Sequence, residues 1–388
     1  MTLPKVIYIS TVPVEATLGG PALMHRALCD YPPERLLVVQ PRTRSQGRRL
    51  AGVRYEEFGD GLVRFIPSRI PVVRVLRPYA MAANAALLGR RLVATARDFG
   101  AEAVVTVTHG HHWPAAAAVA NRLGLPLHMV NHDNWPDTIY PIPTLLRPFW
   151  VRQFRAAYAA AASRLCVSPF MARYYEEHYG APGEVLLPYR AREVTEFDAP
   201  PASPAERPFT VAFAGAFQSG YAEIFRTVSE FLRAQGGRLV LYSNLTAKDA
   251  PQFGIDPAAV TLNATMPPED LVVALRDTAD ALLLPMQDNF NARMCFPSKL
   301  VDYTVAGLPI LVVAPLDSTG AVWGKENPAA AVVVDSADRE GIRRAVTGLA
   351  ADPEARRLLG RGALAAGAAA FSYTRCRDQF FSALRRAA

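Results

Sequence analysis

The feature that most constrains this chain is an alternation that runs twice along it: short apolar, β-branched runs separated by longer helical stretches. In the first half, residues 6–10, 36–40, 103–107, 127–131 and 165–167 read as buried strands. Helices are expected around 22–30, 79–99, 114–123 and 149–162. Apolar runs of this kind suit strands covered on both faces, and their alternation with helices predicts a mainly parallel sheet. A second series has strands at 210–214, 238–242, 260–263, 281–284 and 310–313. Its helices are expected at 222–234, 268–277 and 298–306, and an Ala-rich helical stretch follows over 353–387. The expected fold class is α/β, with two Rossmann-like halves.

Four prolines fall in the ten residues 199–208, a stiff and extended stretch that reads as an interdomain linker. This gives domains at 1–198 and 209–372, with a C-terminal helix at 373–388. A length of 388 residues exceeds what one core usually organises. The four cysteines, Cys29, Cys166, Cys295 and Cys376, lie far apart without metal-site spacing, as expected for free thiols in a reducing cytosol. No signal peptide opens the sequence, and no uncharged apolar stretch reaches the ~18 residues of a membrane span. The expectation is a soluble, cytoplasmic protein. A net charge of +7 favours anionic partners. No helix-turn-helix, zinc-finger or RNP motif points to nucleic acid.

The most informative stretch is 281–313. A buried strand ends at Pro285, a polar loop follows, and Pro297 and Ser298 open a helix. Ser298 is a good N-cap, and free backbone N–H groups there would attract an anion. Lys299 adds positive charge, and Asp302, one turn on, could accept bonds from ribose hydroxyls. Gly307 and Pro309 end the helix and lead into the next strand. The same spacing fits an ordinary strand–helix–strand unit with a capping serine.

This stretch resembles the nucleotide-binding signature of glycosyltransferase family 4, matched at Pro297, Ser298, Lys299, Asp302, Tyr303, Ala306, Gly307 and Pro309. The resemblance, weaker elsewhere, spans both halves. It implies a GT-B architecture: two Rossmann-like domains facing a cleft, with the C-terminal helix crossing back to the N-terminal domain. It further implies transfer of a sugar from a nucleotide-diphosphate donor to a glycan or lipid-linked acceptor, with retention of configuration and no cofactor or metal. Donor contacts then fall on Gly19 and Gly20 after the first strand, and on Gly215, Pro297, Ser298, Leu300 and Asp302. The segment from Leu125 to Trp135 is similar to a family segment in which a histidine faces the reacting sugar, here His132 followed by Asp133. His109, His111 and Trp135 are acceptor-side candidates. From the residues alone, Gly19–Gly20 also fits a plain loop, and His132 a loop histidine bonded to backbone.

One departure bears on mechanism. Relatives carry an Arg and a Lys after the first strand of the second domain, where they grip the diphosphate, and residues 213–220 hold neither. Arg293 and Lys299 are the expected replacements, catalytic together with His132 and Asp133. The stretches 145–158 and 69–79 interleave arginine with aromatic and aliphatic residues. They read either as contacts to an anionic membrane surface, on the inner face of the plasma membrane, or as core helices with a solvated basic face. The alternatives to a glycosyltransferase are a non-catalytic GT-B scaffold, kept open by the absent Arg/Lys pair, and a sugar-nucleotide epimerase.

Overall fold

The computed structural model describes residues 2–17, 19–42, 47–59, 61, 76–135, 146–202 and 207–387. Residues 69–75 and 145 of the two basic stretches, and 203–206 of the proline-rich segment, lie outside that set. The chain forms two compact units, Met1–Leu187 with Thr374–Ala388, and Pro188–Tyr373. The described residues of the proline-rich segment, 199–202 and 207–208, fall in the second unit, and the chain passes from one unit to the other at Leu187–Pro188 and at Tyr373–Thr374.

In the first unit the elements run β1 (Val6–Ile9), α1 (Gly20–Leu28), β2 (Leu36–Pro41), β3 (Arg54–Phe58), α2 (Arg77–Phe99), β4 (Ala103–Val107), α3 (Trp113–Leu123), β5 (Leu127–Asn131), α4 (Arg147–Ala160), β6 (Ser163–Cys166), α5 (Pro169–Tyr179) and β7 (Glu184–Val185). The sheet order is β3-β2-β1-β4-β5-β6-β7 and the paired strands are parallel. β1, β4 and β5 are buried at every position, which is why they read as mainly apolar runs, broken only by Thr106, His128 and Asn131. β3 escapes a hydrophobic reading because its Arg54–Phe58 text is mostly charged, as an edge strand allows. On α4, Trp150, Phe154 and Tyr158 face inward at four-residue spacing. They join Trp113, Trp135, Tyr175 and Tyr179 in an aromatic core. Arg147, Phe149, Arg152 and Arg155 take the outer face of α4.

The second unit holds β8 (Thr210–Ala214), α6 (Ala222–Arg233), β9 (Arg238–Tyr242), β10 (Val260–Asn263), α7 (Pro268–Thr278), β11 (Ala281–Pro285), α8 (Phe290–Met294), α9 (Lys299–Ala306), β12 (Ile310–Ala314), α10 (Thr319–Glu326), β13 (Ala331–Asp335), α11 (Arg339–Ala351) and α12 (Pro353–Phe371). Its sheet runs β10-β9-β8-β11-β12-β13, again parallel. A core between sheet and helices is mostly aliphatic and includes Phe213, Tyr221 and Phe225. The Ala-rich stretch breaks at Ser372, where the backbone is extended in ψ, and a last helix, α13 (Tyr373–Leu384), lies almost wholly in the first unit. There Phe381 meets Tyr31 edge-on at 5.4 Å, Arg377 pairs with Asp30 at 2.9 Å, and Arg386 pairs with Glu184.

Candidate functional site

In each sheet the strand order reverses beside the first strand, at β1/β4 and at β8/β11. The carboxyl ends of those strands are where open parallel sheets bind ligands. In the second unit Lys299, the first residue of α9, reaches this place. Its ammonium lies 5.3 Å from the centroid of the Phe213 ring and 5.7 Å from that of Tyr221. A side chain on Gly215 would put a Cβ 2.5 Å from Lys299 Cε, so the glycine makes room for the lysine; its φ of +132° is also a glycine conformation. Burial draws the Lys299 pKa down to about 8. Among the described residues no carboxylate pairs with it. α9 is fixed by Tyr303, whose hydroxyl accepts from the Ala214 N–H at 2.9 Å and donates to the Leu283 carbonyl at 3.1 Å.

The rest of the motif differs from expectation. The Ser298 side chain caps no amide, because its backbone is already helical. The N–H groups of Leu300 and Val301 donate to the carbonyls of Pro297 and Ser298, both at 3.1 Å. The first turn thus closes on itself and leaves fewer donors for an anion than an open N-terminus would. The Leu300 side chain is fully buried in the core, while Pro297 is half-buried and Ser298 exposed. Asp302 is half-buried one turn beyond Lys299. Arg293 does not join Lys299 as a spare cation, because its guanidinium is held by Asp317 at 2.6 Å and Asp288 at 2.8 Å.

In the first unit the loop after β1 leads to Gly19, at φ +66°, and Gly20, which opens α1. A Cβ on Gly20 would sit 3.7 Å from His132 Nδ1, so α1 begins against that imidazole. The sheet thereby brings together two segments far apart in sequence. His132 Nδ1 is buried without a hydrogen-bond partner, and burial lowers the ring's pKa to about 4, leaving it neutral at pH 7. Asp133 Oδ2 lies 2.8 Å from His109 Nδ1. His111 is half-buried with its ring 4.1 Å from that of His112. His112 is buried, 3.2 Å from the Thr11 hydroxyl. Trp135 is not at the surface of the site: it is 4% exposed, donates its indole N–H to the Gly110 carbonyl at 2.9 Å and stacks on Phe154. Among the described residues no three His, Cys, Asp or Glu side chains gather as a metal-binding group.

Sequence reasoning missed the ring pair Phe213 and Tyr221 around Lys299 and the anchoring role of Tyr303. It also missed the amide chain in which Gln287 donates to Gln218 at 2.7 Å and Asn289 donates to Gln287 at 2.8 Å. Only Tyr303 carried a signal, as part of the matched motif.

Residues 43–187 match the family Glycosyltransferase Family 4, over a range that includes His109, His132 and Asp133. No curated protein matches the sequence. Solved structures match along the whole chain. Anabaena HepE in complex with UDP has 13% identity and a TM-score of 0.67, covering 98% of this chain and 99% of that one. Sucrose-phosphate synthase from Thermosynechococcus elongatus has 14% identity and a TM-score of 0.67, covering 97% of each chain. The α,α-trehalose 6-phosphate synthase of Burkholderia multivorans has 14% identity and a TM-score of 0.66, covering 99% of this chain and 98% of that one. With two parallel sheets of this order and these structural likenesses, the chain is a GT-B-fold protein whose residues 43–187 match glycosyltransferase family 4.

Proposed function

We propose that the protein is a glycosyltransferase that takes a sugar from a nucleotide-diphosphate donor. The observation that carries this reading is Lys299: a cation with no paired carboxylate among the described residues, half-buried between two rings at the carboxyl ends of β8 and β11. Negative charge gathers on the diphosphate as the glycosidic bond breaks, and an ammonium already in place stabilises it without solvent reorganisation. Asp302 accepts ribose hydroxyls, and neutral His132 exchanges hydrogen bonds with a sugar hydroxyl beside Gly20. Asp133 is engaged by His109, so it is a poor covalent nucleophile, and departure and attack on one face of the sugar, with retention, is the mechanism we favour. The acceptor we propose is a glycan or a lipid-linked glycan. Exposed Phe149 beside Arg147 and Arg152 suits a peripheral position on an anionic membrane, to be tested by flotation with anionic against neutral vesicles.

The Anabaena HepE structures hold UDP and UDP-glucose, which makes UDP the first nucleotide to test. Calorimetric titration with UDP and with GDP should show saturable binding of one of them, and a screen of nucleotide sugars should show slow donor hydrolysis. Binding of neither nucleotide would defeat the proposal. It would favour the second reading, a non-catalytic GT-B scaffold, to which the cation-free loop 215–220 and the engaged Arg293 lend weight.

A further inference from the structure

The segment that opens the second unit is strapped to the far end of α9. Arg190 is 2% exposed, and its guanidinium pairs with Glu196 on the surface. Its backbone N–H donates to the Phe371 carbonyl at 3.0 Å, so the places where the chain enters and leaves this unit are bonded to each other. The guanidinium lies in a slot that exists because residue 367 has no side chain. A Cβ on Gly367 would fall 2.5 Å from Arg190 Nη2 and 2.3 Å from the hydroxyl of Thr304, a residue of α9. Further along the strap, the Arg276 guanidinium stacks 3.7 Å over the Phe197 ring. It donates to the carbonyl of Ala199 at 3.0 Å and to that of Ala306, the last residue of α9, at 2.9 Å.

Arg190 is the costly member of this arrangement, because its Nε and Nη2 groups are buried with no hydrogen-bond partner. A buried charge short of partners weakens a fold unless its position serves something else. We infer that Arg190 is a positioning residue for α9: wedged between Gly367 and Thr304 and held by Glu196, it sets how far Lys299 reaches over Gly215. Tyr303 pins the helix to the strand ends, Arg276 holds its last turn, and Arg190 supports the face between them. The functional weight of this inference rests on the reading of α9 as the nucleotide helix.

The test reads Lys299 directly and needs no nucleotide. The sequence has four lysines, Lys5, Lys248, Lys299 and Lys325, so reductive ¹³C-dimethylation gives a small set of NMR signals, and Lys299→Arg assigns one of them. In wild type that signal should titrate near 8, since burial against Phe213 and Tyr221 disfavours the charge. In Glu196→Gln and in Gly367→Ala, the midpoint should rise by about one pH unit or more toward the ordinary lysine value as the ammonium gains water. Arg190→Lys, which adds one signal of its own, should keep much of the wild-type Lys299 midpoint, and Arg190→Met should not. Should Arg190→Met fail to fold, Glu196→Gln, which leaves the slot at Gly367 and Thr304 untouched, carries the test. UDP affinity should weaken roughly tenfold to a hundredfold in step with the midpoint. Folded Glu196→Gln and Gly367→Ala proteins with an unmoved Lys299 midpoint would overturn the inference. A wild type that binds no UDP but shows the shifts would defeat the nucleotide reading and leave Arg190's positioning role intact.

Discussion

Replacing Lys299 by methionine should make the empty protein more stable and a nucleotide bound to it less so. Burial lowers the ammonium's pKa from 10.5 to about 8, so at pH 7 the folded protein holds the charge against its environment. That fall of ~2.5 pH units, at 1.36 kcal/mol each, caps the cost at ~3.4 kcal/mol. Because the residue is only half-buried, we discount this to ~1–3 kcal/mol. Methionine keeps the stem against Phe213 and Tyr221 and removes the charge. One kcal/mol moves the Tm of a unit this size by ~2–4 °C, so the expected rise is ~2–12 °C. The sign with pH follows: the folded-state pKa is depressed, so wild type gains stability from pH 8 upward until about 10.5, and the difference from the mutant closes over that window. The nucleotide reverses the balance, since losing a charge-assisted contact to the diphosphate costs ~1.5–3 kcal/mol, roughly a 10- to 150-fold rise in Kd at pH 7. Wild-type Kd should also worsen above pH 8 with a slope approaching one, and the mutant's should stay flat. Scanning calorimetry and titration with UDP on the same two proteins decide the matter. A mutant that is less stable and binds UDP as tightly as wild type would show that Lys299 packs the core rather than serves an anion.

Three further outcomes are expected. Asp302→Ala should fold normally and bind nucleotide ~1.5–3 kcal/mol more weakly by titration, through lost bonds to ribose; equal affinity removes Asp302 from the site. Arg293→Met should leave nucleotide affinity within about twofold, since Asp288 and Asp317 already occupy its guanidinium; a change typical of a lost phosphate contact, ~1.5 kcal/mol or more, would show that it swings onto the ligand. Burial lowers His112 to about 3 and His128 to about 4, and depressed imidazole values mean stability present above pH 6.5 and lost as pH falls; urea unfolding at pH 7 and pH 5 should differ by ~2 kcal/mol for each ring, and matching curves would contradict their burial as neutral groups.

The doubly wound architecture was legible because β1, β4, β5, β8, β11 and β12 are buried at every position and therefore mostly apolar, with Thr106, His128, Asn131 and Thr210 the buried polar exceptions. β3 was not, since an edge strand tolerates Arg54 and Glu57. β13 was passed over even though Ala331–Asp335 has the same apolar text. The nearness of Gly20 to His132 could be guessed from strand ends, but the Lys299–Gly215 contact could not, because it joins the start of a helix to a loop through side-chain reach. Ser298 shows the limit of motif reading. The residue type suits a cap, yet a helical backbone at that position points its hydroxyl elsewhere. Arg293 shows another limit, since positive charge near a motif says nothing about the carboxylates that engage it.

The assignment of α13 to the first unit has a consequence for biosynthesis. Cys376, Phe380, Phe381 and Leu384 are buried there, against surfaces such as Tyr31 that leave the ribosome early. Between Leu187 and Thr374 the whole second unit is translated, a delay of ~10–40 s at ~5–20 residues per second. Through that interval the nascent first unit presents an apolar strip with nothing to cover it, while the second unit emerges with its own sheet complete. The unit begun first is finished last, and the strip awaiting α13 is the surface on which a chaperone would act.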